Sequence, residues 1–199
     1  MELSPLAKER LAKISDLSPE EKKKLRVSED VVSLISNFFT GKLDADGLWL
    51  ELKRFKEDGK DFMIKEAQYR ILKAITLGSN AVDFERSRSA ILGCETLKEQ
   101  NKYSGIELNL SSIDNLRHQY QQEQETHFNS MKDNIRGQVE MTLRQMAGQA
   151  GHQHNSIDIE SSVEASVKAD PQWRKFIMNH EKNYGQKFDE LSEMIQNLI

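Results

Sequence analysis

Residues 111–151 constrain the fold more than any other stretch of this 199-residue chain. They contain no proline, and their only interior glycines are Gly137 and Gly148. Apolar side chains recur there every three or four residues, with one longer gap across 121–125, which is the period of an amphipathic helix. The members of this stripe are Ile113, Leu116, Tyr120, Phe128, Met131, Ile135, Val139, Leu143 and Met146. A helix of roughly 37 residues would be about 55 Å long, so another helix must pack along it.

The last part of the chain carries a second apolar stripe. Asp170 and Pro171 form a helix start signal, since aspartate caps a first turn and proline suits the first helical position. The stripe comprises Trp173, Ile177, His180, Tyr184, Phe188, Leu191, Ile195 and Leu198. We predict that this helix and the long one form an antiparallel hairpin. The long stripe has a mean step of about 3.6, which favours a bundle over a long dimeric coiled coil.

Before residue 103 the sequence predicts a bundle of short helices. Only 37% of the chain is hydrophobic and 30% is charged, a balance typical of helices with one wet face. Helix starts are indicated at Ser4, Ser18 and Ser28, at Asp44 or Asp46, at Asp61, and at Ser79 or Asn80. The densest apolar cluster is Val31, Leu34, Ile35, Phe38 and Phe39, and we expect it to nucleate the core.

Residues 105–110 interrupt the helical pattern, because apolar and polar side chains alternate there. Alternation is the signature of a strand. One alternative is a minor two-stranded β element that pairs residues 106–110 with 156–159. The other is an extended linker, in which case the second segment begins a short helix with Val163 and Val167.

These patterns together predict an all-α protein of two domains. The N-terminal helical bundle covers residues 1–103, and the long-helix hairpin covers residues 111–199. Residues 104–110 would be the linker or short strand between them.

Composition excludes several classes of function. The formal net charge is −4, so the chain lacks the basic excess that nucleic-acid binding requires. No apolar run approaches the roughly 18 residues of a membrane span, and charges interrupt the N-terminal stretch where a secretory signal would lie. Cys94 is the only cysteine, so no intramolecular disulfide can form. We therefore expect a cytoplasmic protein.

The histidines and the cysteine give no complete active site. No histidine has a glutamate three residues before it, which disfavours a carboxylate-bridged di-iron bundle. His152 and His154 would supply two ligands where zinc takes four, so we expect two solvated loop histidines rather than a metal site, and no cofactor. His180 is either a pH-sensitive group or a half-buried histidine bonded to a neighbour. Cys94 is interpreted as a small buried hydrophobe.

Because the sequence contains no catalytic motif, we predict a non-enzymatic helical interaction or scaffold protein. The two long stripes offer more apolar edge than a small bundle covers. We therefore expect a homo-oligomer, or a complex with another protein, and no catalytic residues. The candidate partner interface consists of Trp173, Ile177, His180, Tyr184, Phe188, Leu191 and Ile195.

Two other functions remain open. The first is a small-molecule-binding bundle or an enzyme, with a pocket in the N-terminal bundle lined by Phe38, Phe39, Trp49 and Cys94. The same residues suit an ordinary core. The second is membrane-surface association through residues 131–147, although surface-binding helices usually carry a stronger basic excess.

Overall fold

The computed structural model describes the backbone of residues 19–149 and 159–199, and the side chains of 29–141 and 160–199. Within these residues the protein is all-α, with seven helices and no strands. The helices are α1 (Pro19–Phe39), α2 (Ala45–Glu57), α3 (Phe62–Ala74), α4 (Ala81–Thr96), α5 (Tyr103–Gln149), α6 (Ile159–Ala169) and α7 (Pro171–Leu198). The short N-terminal helices form a bundle, and the long helix α5 packs against α7. The predicted fold class is therefore confirmed.

The chain forms two compact units. Among the residues that the structure describes, the first unit lies within Met1–Thr76, Asn80–Leu108 and Ile195–Ile199, and the second lies within Leu77–Ser79 and Asn109–Met194. Helix α5 therefore contributes its first turns to one unit and the rest of its length to the other. The predicted domains, as independently folding parts of the chain, stay a prediction.

Local signals in the sequence fix several ends of the short helices. Asp44 and Asn80 each accept a 2.8 Å hydrogen bond from a backbone N–H three residues further on, and so cap α2 and α4. Asp61 precedes α3 but makes no such bond with its side chain. The turns after α1 and α2 contain Gly41 and Gly59, whose φ angles of 75° and 72° lie in the left-handed region that favours glycine.

Helix α5 begins at Tyr103 rather than near residue 111, so neither alternative for residues 104–110 is right, since the segment is neither a strand nor an extended linker. Ile106 and Leu110 are completely buried, whereas Leu108 between them is 69% exposed. Residues four apart share a helix face, so this short alternation satisfies a helix as well as a strand. The proposed partner strand lies mostly outside the described residues, and Ile159 is the first residue of α6.

A buried carboxylate from α4 marks the start of α5. The side chain of Glu95 is inaccessible to solvent, and it accepts a 2.7 Å hydrogen bond from the backbone N–H of Lys102. It also accepts one from Gln68 at 3.0 Å and pairs with Lys98 at 2.7 Å. Burial by itself would raise the pKa of Glu95, but these donors outweigh it and hold the pKa below its usual value.

Helix α6 lies against α5 in the second unit. Val163 and Val167 are completely buried, as the short-helix alternative predicts. Lys132 on α5 pairs with both Glu160 and Glu164 on α6, the latter at 3.0 Å, and Arg136 also pairs with Glu160. Hydrogen bonds from these two basic side chains lower the pKa of Glu160.

Candidate interaction surfaces

An aromatic cluster joins α5 to α7 across the hairpin. Its members are Tyr120, His127 and Phe128 on α5, and Trp173, Phe176, His180 and Tyr184 on α7. The rings of Tyr120 and His180 stack with centroids 4.7 Å apart, and Phe128 meets Trp173 edge-on at 5.2 Å. Residue numbers rise along one helix as they fall along the other, so the two helices run antiparallel. Aromatic pairs at these separations add to the stabilisation from apolar burial.

His180 is the polar centre of the aromatic cluster, and its side chain is buried. Its Nε2 donates a 3.0 Å hydrogen bond to the backbone carbonyl of Tyr120, and its Nδ1 lies 3.7 Å from the carboxylate of Glu123. The hydroxyl of Tyr184 donates to the same carboxylate. Burial, that hydrogen bond and the negative charge of Glu123 raise the pKa of Tyr184 to about 12. This phenol therefore stays protonated at neutral pH and acts as a donor.

The reactive side chains with shifted pKa values are poorly suited to nucleophilic chemistry. Burial raises the pKa of Cys94 to about 12, so this thiol stays protonated, as does the hydroxyl of Tyr184. The thiolate is the nucleophilic form of cysteine. Among the residues described, no group of three histidine, cysteine or acidic side chains could hold a metal ion. His152 and His154 lie outside the described residues.

The predicted partner interface divides into buried and half-buried residues. His180, Tyr184 and Ile195 are buried within this chain. The half-buried members are Trp173, Ile177, Phe188 and Leu191. Internal packing therefore uses part of the α7 stripe, and the remaining side chains keep some exposed apolar surface. The role of these residues as an interface stays a prediction.

The α5 side of the same hairpin is also incompletely covered. Phe128, Met131, Ile135 and Val139 are half-buried. A groove of about 380 Å³ between α5 and α7 is bordered by Leu191 and by Met194, which is 53% exposed. Two paired helices bury only the strip between them, so an apolar stripe wider than that strip keeps exposed edges. We call the partly exposed apolar residues of the two helices the seam edge. They are Phe128, Met131, Ile135 and Val139 on α5, and Trp173, Ile177, Phe188, Leu191 and Met194 on α7.

A second apolar surface lies in the first unit, between α1 and α3. Val32 and Phe39 on α1 are 46% and 39% exposed, and Phe62 and Tyr69 on α3 are 48% and 41% exposed. They border two adjoining cavities of about 570 and 390 Å³, which share Glu66 and Tyr69. We call this surface the α1–α3 groove. Its charged lining residues are Lys65, Glu66, Arg70 and Lys73.

The α1–α3 groove was not predicted from the sequence, because Phe39 was assigned to the core with the rest of its apolar cluster. A usable signal was present in α3. Phe62 and Tyr69 are seven residues apart and so lie on one line of the helix. That line is offset from Ala67 and Ile71, which are completely buried.

The residues expected to line a pocket in the bundle differ in their exposure to solvent. Phe38 and Cys94 are buried in the core, whereas Phe39 is exposed at the α1–α3 groove. Trp49 is half-buried, and its indole Nε1 donates a 3.0 Å hydrogen bond to the hydroxyl of Thr96. Binding of a small molecule by these residues stays a prediction.

The fold and these surfaces define an all-α protein that combines a bundle of short helices with a long helical hairpin. No helix in the described part of the chain is long and apolar enough to cross a bilayer. The chain belongs to a family that is described as a family of unknown function (DUF6657), whose sequence model matches residues 49–197. That match includes α3 and α7 but not α1. No curated protein and no solved structure matches the chain.

Proposed function

We propose that this protein is a non-enzymatic helical interaction protein that self-associates along the seam edge. The observation that carries the proposal is the half-exposed apolar surface on both helices of the hairpin, from Phe128 to Val139 on α5 and around Trp173 and Leu191 on α7. Contiguous exposed apolar surface marks interaction sites on folded proteins. A second copy related by two-fold symmetry would cover the same edge in both chains.

Trp173 is the natural anchor of such an interface. Large aromatic side chains carry much of the binding energy in protein complexes. The centroid of the Trp173 ring lies 5.2 Å from that of Phe128 and 5.5 Å from that of Phe176, while part of the Trp173 surface stays exposed. A side chain that is already ordered loses little conformational freedom on binding, which favours association.

The chemistry of the described side chains supports a binding role over catalysis. The thiol of Cys94 and the hydroxyl of Tyr184 both stay protonated at neutral pH, because their pKa values are raised to about 12. His180 is engaged in packing and hydrogen bonding within the hairpin. The side chains that would be the first candidates for a reactive centre therefore have structural roles.

Sedimentation equilibrium of the full chain over a wide concentration range tests self-association. Met194 borders the groove between α5 and α7, so Met194→Glu places a charge at the seam edge. Met178 is the matched control, because it is 64% exposed and lies off the apolar stripe of α7. We expect a concentration-dependent dimer whose dissociation constant rises about tenfold or more in Met194→Glu, since burial of an unpaired charge is costly. Met178→Glu should leave the dissociation constant unchanged.

Two results would contradict this proposal. One is a monomer throughout the accessible concentration range. The other is an equal loss of dimer in both methionine variants, which would show a general effect of added charge. Small-angle X-ray scattering of the same samples then tells whether the dimer that forms has the extended shape expected of pairing along helices.

A further inference from the structure

We propose that the α1–α3 groove is a docking site for an acidic amphipathic helix of another protein. This surface belongs to the first unit and shares no residue with the seam edge, so the inference is independent of self-association. It rests on three observations, which are the exposed apolar side chains, the shape of the groove and the charges that line it.

Four large apolar side chains supply the contact surface. Val32, Phe39, Phe62 and Tyr69 are each between 39% and 48% exposed, and they lie on two neighbouring helices. Three of the four are aromatic, the residue class that anchors protein interfaces most often. Completely buried Val31 and largely buried Ile35 form the floor beneath them, so an arriving side chain meets apolar atoms on several sides.

The shape of the groove favours a helix as the occupant. The groove runs between two helices, and a third helix can pack its side chains into such a depression. From Phe62 to Lys73 the α3 wall is about 16 Å long, or roughly three helical turns. A bound helix would use apolar side chains at i, i+3 or i+4, and i+7, which is the usual pattern of helix-in-groove recognition. Apart from Ile199, the residues that line the groove belong to α1 and α3, so no strand edge is offered to an extended peptide.

The charges select an acidic partner. The charged side chains that line the groove are Lys65, Glu66, Arg70 and Lys73, three basic groups and one acidic group, and Ile199 also lines the cavity beside Lys65. Glu66 and Arg70 pair with each other at 2.6 Å, so their charges largely cancel. Lys65 lines one cavity and Lys73 lines the other, about 12 Å apart along α3. Carboxylates two turns apart on a bound helix would meet both lysines, and complementary charge of this kind fixes orientation and specificity.

Fluorescence anisotropy with two designed peptides tests the proposal on the full chain. The first is a labelled helical peptide of about 14 residues with leucines at the anchor positions and glutamates two turns apart. The second has lysine at every glutamate position. We expect the acidic peptide to bind at least about tenfold more tightly at low salt. The difference should shrink as salt rises from about 0.1 M to 1 M, where the Debye length falls from about 10 Å to 3 Å.

Matched variants connect that binding to the groove. Lys73→Glu should weaken acidic-peptide binding about fivefold or more, while Lys53→Glu is the control. Both ammonium groups lie 5.4 Å from the centroid of an aromatic ring, Tyr69 and Trp49 respectively. Val32→Glu should abolish binding, while Val82→Glu, at a position 76% exposed on α4, should not. Circular dichroism confirms that each variant remains helical.

Several outcomes would overturn the proposal. Equal affinity for the two peptides removes the charge argument, and equal effects of the groove and control variants place binding elsewhere. If neither peptide binds but Val32→Glu changes the sedimentation behaviour, the occupant of the groove is a second copy of this chain. If the acidic peptide binds only after residues 1–18 are deleted, part of this chain fills the groove. That result would overturn the proposal that another protein is its ligand.

Discussion

The backbone carbonyl of Tyr120 accepts a 3.0 Å hydrogen bond from His180, and the rings of the same two residues stack with centroids 4.7 Å apart. A polar contact and an apolar contact thus join one residue pair across α5 and α7. The acceptor is a backbone atom at one position of α5. Sliding α7 by a single turn would therefore break the bond and leave a buried ring nitrogen without its partner, so this pair specifies the register of the hairpin.

Substitution of His180 tests that role. His180→Ala removes the hydrogen bond and the stacked ring from a buried position, and we expect a loss of about 2–4 kcal/mol in the free energy of unfolding. His180→Phe keeps a ring but not the donor, so its cost should be smaller, about 1–2 kcal/mol. Urea unfolding followed by circular dichroism measures both. His118→Ala is the control, because that side chain is 64% exposed, and a loss there as large as in His180→Ala would contradict the interpretation.

The titration of Tyr184 should be displaced to high pH. Its pKa is raised from 10.0 to about 12, so the folded state binds this proton more tightly than the unfolded state. The resulting stabilisation is fully present below pH 10 and is lost as pH rises through about 12. Ultraviolet absorbance of tyrosinate should show a late step in the folded protein, and Tyr184→Phe should remove that step. Loss of an early step instead would contradict the buried hydrogen bond to Glu123.

Glu95→Gln should destabilise the first unit. The substitution leaves Lys98 beside a neutral amide and weakens the hydrogen bond from the backbone N–H of Lys102. We expect the free energy of unfolding to fall by about 2–4 kcal/mol. Because the pKa of Glu95 is held below the usual 4.5, its contribution is present above that pH and is lost as pH falls further. Thermal unfolding at several pH values measures both effects. Glu99→Gln, at an exposed neighbouring position, should behave like the unsubstituted protein.

Apolar burial should hold α6 in place more strongly than its ion pairs do. Val167 is completely buried, and we expect Val167→Ala to cost about 2 kcal/mol in the free energy of unfolding. Glu160 is about half exposed, and we expect Glu160→Gln to change the free energy of unfolding much less than Val167→Ala does, with the change shrinking at high salt. Chemical unfolding of both variants at low and high salt compares them directly. A larger effect of Glu160→Gln would show that the ion pairs dominate.

The periodic parts of the fold could be read from the sequence because their causes are local. A stripe of apolar residues every three or four positions predicted α7 and most of α5, and Asp44 and Asn80 marked helix starts through their own side chains. The start of α5 could not be read in the same way. Its cap is Glu95, which belongs to the preceding helix, so the signal depends on how α4 and the first turn of α5 meet in space.

The interaction surfaces show the same division between local pattern and packing. The stripe of α7 could be listed from its spacing, but spacing does not tell which members face α5. His180 and Tyr184 became buried partners of Tyr120, while Trp173 and Leu191 remained half-exposed. Phe39 was assigned to the core by its apolar character, and packing left it exposed at the α1–α3 groove.

The sequence by itself determined that this protein is helical, where most of its helices lie, and that a long helix pairs with the last one. Helix formation depends on neighbours within a few residues, so the chain carries that information locally. Tertiary structure decided which apolar residues stay exposed and where polar groups are buried. Arg117 is the clearest example. It is only 1% exposed because it donates to the backbone carbonyl of Ser79 and pairs with Asp114 at 2.6 Å. A charged side chain becomes buried when distant parts of the chain supply its partners, and a linear pattern does not contain that information.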